Sequence, residues 1–151
     1  MAQLSVVLDC SASMGAWGKY DISKLCLRRV IPIARKFGME AALFAWRTDV
    51  VPAQKLSEFL PDGTSEGAAL VAFLEESEGA VLLLSDGLWQ DDAQVLRHAA
   101  EGRALAVVTY GADRNLSRPE ELATCGCWPV EDLVAAVQRL AGATADGEAA
   151  S

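Results

Sequence analysis

Four short apolar runs, each closed by a polar or glycine-containing turn, constrain this chain more than any other feature. Leu4–Leu8 (LSVVL) ends at Asp9, and Glu40–Trp46 (EAALFAW) is the second run. Ala80–Leu84 (AVLLL) leads into Ser85-Asp86-Gly87, and Ala104–Tyr110 (ALAVVTY) ends at Gly111. Runs of this length, apolar on both faces, are the buried strands of a mostly parallel sheet. The stretches between them carry helical periodicity. Over residues 20–37, Ile22, Leu25, Cys26, Val30, Ile33, Ala34 and Phe37 form one stripe, and Pro32 should kink or divide that helix. Further helices are expected over 65–77, with Thr64 or Ser65 near the N-cap, and over 91–101, opened by Asp91 and Asp92. Two more are expected over 116–123 and 130–140. Asp49–Pro52 (DVVP) and residues 124–128 suit short strands, the former at an antiparallel edge because it ends in proline.

The alternation predicts a single α/β domain over residues 1–141. Its Rossmann-like, doubly wound sheet should have about six strands, mostly parallel with one antiparallel edge strand, and helices on both faces. Residues 142–151 (GATADGEAAS) are expected to be a disordered tail.

Charge narrows the function classes. The chain carries 13 Lys and Arg against 21 Asp and Glu, a net charge of −8, which is the wrong balance for neutralising nucleic-acid phosphates. The imbalance is uneven: residues 1–55 hold 8 basic and 4 acidic side chains, residues 56–151 hold 5 and 17. No apolar run approaches the length of a membrane span. The N-terminal stretch lacks a basic region and is broken by Asp9, so a cytoplasmic location is expected. Cys10, Cys26, Cys125 and Cys127 are then reduced thiols, and the Cys125-Gly126-Cys127 pair lacks the partners of a zinc site.

Doubly wound sheets bind ligands at the carboxyl ends of their strands. The first run ends in Asp9-Cys10-Ser11-Ala12-Ser13, the third in Ser85-Asp86-Gly87, and Asp62-Gly63-Thr64 precedes the second helix. Together these loops offer two carboxylates and three hydroxyls. Hard oxygen donors of this kind suit Mg²⁺, Mn²⁺ or Ca²⁺ rather than Zn²⁺ or Cu²⁺. Two formal charges leave a divalent ion with waters and an open position for a carboxylate from outside.

The ordered set D-x-S-x-S, Gly-Thr and Ser-Asp-Gly resembles the metal-ion-dependent adhesion site (MIDAS) of the von Willebrand factor A (vWA) family. The resemblance spans Leu4 to about Leu140. It implies a vWA fold and a metal site formed by Asp9, Ser11, Ser13, Thr64 and Asp86. By the same resemblance, Ser11, Ser13 and Thr64 would touch the metal and the two aspartates would act mainly through water. It also implies a non-enzymatic, protein-binding role in which a partner supplies an Asp or Glu. Intracellular relatives act as adaptors, often beside MoxR-type AAA ATPases or in bacterial stress and defence systems. The Ala-, Gly- and Arg-rich composition suits a bacterium with GC-rich DNA. No integrin-like accessory calcium site is recognisable.

Trp17 and Trp89 follow the first and third loops and are expected on the partner-binding rim. Trp46 and Trp128 read as core or strand-end residues, His98 as a surface or boundary residue, and Cys10 as inward-facing. The alternative is a Mg²⁺-dependent phosphohydrolase with Asp9 as nucleophile. Against it, position 11 is Ser where a D-x-D motif needs an acid, and no phosphate-binding glycine motif is present.

Overall fold

Alternating side chains on three central strands divide the core in two. In the computed structural model, which describes residues 2–89 and 93–150, β1 spans Ala2–Asp9, β4 spans Ala80–Ser85 and β5 spans Leu105–Thr109. Leu4, Val6, Leu8, Ala80, Leu82, Leu84, Ala106 and Val108 point to one face; Val7, Val81, Leu83, Leu105 and Val107 point to the other. All are essentially removed from solvent, each contributing roughly 1.5–3 kcal/mol for the larger side chains. Two-sided burial explains why these segments lack polar alternation.

β2 (Met39–Trp46), β3 (Val50–Pro52) and β6 (Cys127–Pro129) complete a six-stranded sheet of order β3-β2-β1-β4-β5-β6. Among the described residues only the β2–β3 pair is antiparallel. One face is covered by α1 (Lys19–Lys36) and α5 (Leu133–Ala150), through Cys26, Leu27, Val30, Ala34, Ala136, Val137 and Leu140. The other is covered by α2 (Gly67–Glu76), α3 (Ala93–Ala100) and α4 (Ser117–Leu122), through Leu70, Leu74, Leu96, Ala100 and Leu122.

Several boundaries differ from the sequence expectations. Pro32 lies inside α1 without dividing it. The N-cap of α2 is Glu66, immediately after Ser65, and the helix begins at Gly67, two residues later than expected. Asp91 and Asp92, expected to open the third helix, lie outside the described residues. α5 continues through Gly142 to Ala150, over the stretch expected to be a tail; Ala141 and Ala143 pack on the core and Thr144 Oγ1 donates to the Leu140 carbonyl at 2.9 Å. Among the described residues no helix is long and apolar enough to cross a membrane.

The strand order reverses between β1 and β4. From β1 the chain moves outward to β2, and it returns through α2 to place β4 on the other side of β1. Such a switch point opens a crevice between diverging loops at the carboxyl ends of the strands. Asp9 and Asp86 stand at that crevice.

Candidate functional site

Backbone hydrogen bonds fix the loops around the crevice. Ala12 N–H donates to the Gly63 carbonyl at 2.9 Å and Asp62 N–H to the Cys10 carbonyl at 2.8 Å, joining the loop after β1 to the loop before α2. Asn115 N–H donates to the Asp86 carbonyl at 2.9 Å, joining the loop after β5 to the end of β4.

Asp9 lies beneath this assembly, 1% exposed, with both oxygens occupied. Oδ1 accepts from the Ser65 hydroxyl at 2.6 Å and the Ser11 N–H at 3.0 Å. Oδ2 accepts from the Ser85 hydroxyl at 2.6 Å and the Trp89 indole N–H at 3.3 Å. Several donors on one carboxylate compensate the loss of water around a buried charge. Asp9 thereby clamps the loops.

Asp86 is likewise fully buried. Its Oδ1 accepts from Leu88 N–H at 3.1 Å. Its Oδ2 accepts from the Ser13 hydroxyl at 2.8 Å and from Lys19 Nζ at 2.9 Å. Ser13 Oγ is 3.2 Å from Ser11 Oγ, so a chain of hydrogen bonds runs from Asp9 through Ser11 and Ser13 to Asp86. Thr64 is exposed and lines the same cleft as Ser11 and Ser13, together with Gly63, Ser65, Glu66, Leu88 and Trp89. The cleft encloses about 380 Å³.

Lys19 has no exposed side-chain surface, and besides Asp86 it reaches Asp113 Oδ1 at 2.8 Å. Burial by itself pulls the ammonium's pKa down, but hydrogen bonds and charge from Asp113 and Asp86 outweigh it and raise the pKa above the ordinary 10.5. The hydrogen bond from Lys19 correspondingly holds Asp113 below its ordinary 3.8, against a smaller opposing effect of desolvation.

The five residues expected at the site, Asp9, Ser11, Ser13, Thr64 and Asp86, thus surround one crevice, in two tiers. Three hydroxyls line the open cleft, with the two carboxylates behind them. The two tryptophans separate. Trp17 is 73% exposed, in a left-handed backbone conformation with φ 57°. Trp89, expected on the rim, is only 4% exposed and belongs to the wall. Its indole N–H donates inward to Ser85 Oγ at 2.8 Å as well as to Asp9, and its ring packs against Trp46 at 5.9 Å between centroids. The buried carboxylate's demand for donors turns this side chain inward.

Cys10 is fully buried, and burial pushes its thiol up to about 12. His98 is exposed, 3.5 Å from Glu101. The sequence reasoning missed Lys19, Ser65, Ser85 and Asp113. Ser65 and Ser85 sit beside residues it selected; Lys19 and Asp113 carried no local signal.

A cleft that presents the hydroxyls of Ser11, Ser13 and Thr64, with the Asp86 carboxylate one hydrogen bond behind Ser13, has the donor chemistry of a hard divalent cation site. Among the described residues no three His, Cys, Asp or Glu side chains converge as a metal cluster, so hydroxyls would supply most direct contacts.

No protein-family model matches the chain, and no curated protein matches it. Solved structures do resemble it. BatB, a conserved hypothetical protein from Bacteroides thetaiotaomicron, superposes with a TM-score of 0.69 at 14% identity, over 94% of this chain and 100% of that one. Manganese-loaded TRAP protein from Plasmodium vivax gives 0.63 at 16% identity, over 93% and 73%. A von Willebrand factor type A protein from Catenulispora acidiphila gives 0.62 at 15% identity, over 95% and 42%. At these identities the likeness is one of fold: the chain has a vWA-like α/β fold.

Proposed function

We propose that this chain is a binding module, not an enzyme, whose cleft holds a divalent cation and uses it to capture an acidic side chain of a protein partner. One observation carries the reading: Ser11, Ser13 and Thr64, drawn from two loops far apart in sequence, line a single cleft with Asp86 directly behind Ser13. The manganese-loaded state of the similar TRAP protein supports it by analogy of fold. Ser11, Ser13 and Thr64 would hold the ion directly, with Asp86 orienting Ser13 and Asp9 fixing the surrounding loops. When bound, Mg²⁺ or Mn²⁺ supplies a Lewis-acidic position for a carboxylate oxygen. The net charge of −8 favours a partner whose Asp or Glu stands in an otherwise neutral or basic surface. Trp17, exposed beside the first loop, is the aromatic anchor of the rim. In this reading the chain is a cytoplasmic adaptor or regulatory subunit of a multi-component bacterial system, with an AAA ATPase or an effector protein as the class of partner.

The phosphohydrolase alternative loses support at Asp9. A nucleophilic carboxylate needs a free oxygen facing substrate, whereas both oxygens of Asp9 are engaged by protein donors.

Calorimetric titration with MnCl₂, paired with thermal melts, tests the proposal. Binding should be present in the wild type and weakened in both Ser13→Ala and Thr64→Ala. A wild-type protein with no heat of binding and an unchanged melting temperature up to about 10 mM Mn²⁺ would overturn the reading of the native chain as a cation-dependent binding module.

A further inference from the structure

Lys19 occupies an unusual position for a cation. It is the first residue of α1, where the helix dipole disfavours positive charge, and it is completely buried. Three residues nevertheless converge to hold it. Asp86 at the end of β4 and Asp113 in the loop after β5 take its ammonium at 2.9 and 2.8 Å. Gly111 makes room for its stem: a Cβ there would stand 2.5 Å from Lys19 Cδ and 3.0 Å from Cγ, and its φ of +104° itself favours glycine. The ammonium and the Ser13 hydroxyl meet at the same oxygen, Asp86 Oδ2. The cation is therefore installed at the carboxylate behind the proposed metal ligands.

We infer that Lys19 is a tethered counter-cation that holds Asp86 when no divalent ion is present and competes with such an ion for that carboxylate's charge. The inference rests on the reading of the cleft as a divalent-cation site. With Lys19 in place, one of the two carboxylates at the crevice is already compensated, and an incoming ion meets a neighbouring positive charge in a poorly solvated setting. Asp113 makes the competition reversible. When an ion draws on Asp86, the ammonium keeps a carboxylate partner and is not left buried and unpaired. Lys19 then sets the metal concentration at which the module becomes competent, and Asp113 lowers that threshold.

Asp113 and the ammonium make opposite predictions. Lys19→Met keeps most of the stem and removes the charge; Asp113→Asn leaves Asp86 as the sole full charge on the ammonium. The full chain, wild type and each variant, is titrated with MnCl₂ in a calorimeter and melted in EDTA and in Mn²⁺. Lys19→Met should bind Mn²⁺ at least about tenfold more tightly than wild type, melt lower in EDTA and recover on adding Mn²⁺. Asp113→Asn should bind more weakly than wild type. Mn²⁺ binding by Lys19→Met alone would also support the inference. Wild-type binding with equal or weaker affinity in Lys19→Met overturns the role of Lys19 and leaves the cation site standing. An absence of binding in wild type and both variants overturns both. If Lys19→Met fails to fold, Asp113→Asn decides, since its site is 35% exposed: unchanged or tighter Mn²⁺ affinity there overturns the inference.

Discussion

Ser65 Oγ donates to Asp9 Oδ1 across 2.6 Å, joining the loop before α2 to the end of β1 over 56 residues of sequence. Its neighbour Thr64 is exposed on the cleft. Adjacent hydroxyls therefore stand in different settings, one held against a buried carboxylate and one open to the cleft where the proposed ion would sit. Ser65→Ala should cost about 1–3 kcal/mol in urea unfolding, the usual consequence of removing a donor from a buried charged acceptor. Thr64→Ala should change stability by less than about 0.5 kcal/mol while weakening Mn²⁺ binding. The reverse pattern would exchange the two roles.

Trp89 is expected to behave as a wall residue. Trp89→Phe keeps a ring but removes the N–H given to Ser85 and Asp9, so stability should fall by about 1–3 kcal/mol. Acrylamide should quench the emission of Trp17 and leave that of Trp89 largely untouched, judged by comparing single Trp→Phe variants. Equal quenching of the two would contradict the inward orientation.

The thiols divide by burial. With its thiol near 12, Cys10 is ionised to only about one part in 10⁴ at pH 8. Iodoacetamide should modify half-buried Cys127 in the native protein and reach Cys10 and Cys26 only on unfolding. Mass spectrometry of peptides quenched over time measures this, and native labelling of Cys10 as fast as Cys127 would refute it. The sign for stability follows: a folded-state pKa raised from 9.0 to about 12 gives a contribution present below pH 9 and lost as pH rises towards 12.

Asp113 has the opposite dependence. Because Lys19 lowers its pKa below 3.8, its contribution is complete above that pH and is lost as pH falls through the folded-state value. Wild type should exceed Asp113→Asn in stability near neutrality, and the gap should narrow below pH 3.8. A gap that is constant down to pH 2 would mean that the ion pair is not its source.

The sheet was legible because burial on both faces writes uninterrupted apolar runs, as in AVLLL before Ser85. The five oxygen-bearing residues were legible because each follows a strand or precedes a helix at the carboxyl ends of the sheet. Lys19 was not. A lysine in the first turn of a helix ordinarily points to water, and its burial depends on Asp113, 94 residues away. The Gly-Thr pattern singled out Thr64 for the cleft but gave no sign that Ser65 beside it binds Asp9, since the two hydroxyls are chemically alike and the fold of the loop selects which one faces inward. Helix α5 outran its expected end at Leu140 because Ala141 and Ala143 find core contacts that small residues do not advertise.

The sheet's two outer strands share a device. β3 and β6 each have three residues, and each ends in a proline, Pro52 and Pro129. Proline offers no N–H to a neighbouring strand, and short borders give little length for pairing. The sheet is thus closed to lateral growth. Edge-to-edge self-association and strand addition by another chain are both disfavoured at these borders.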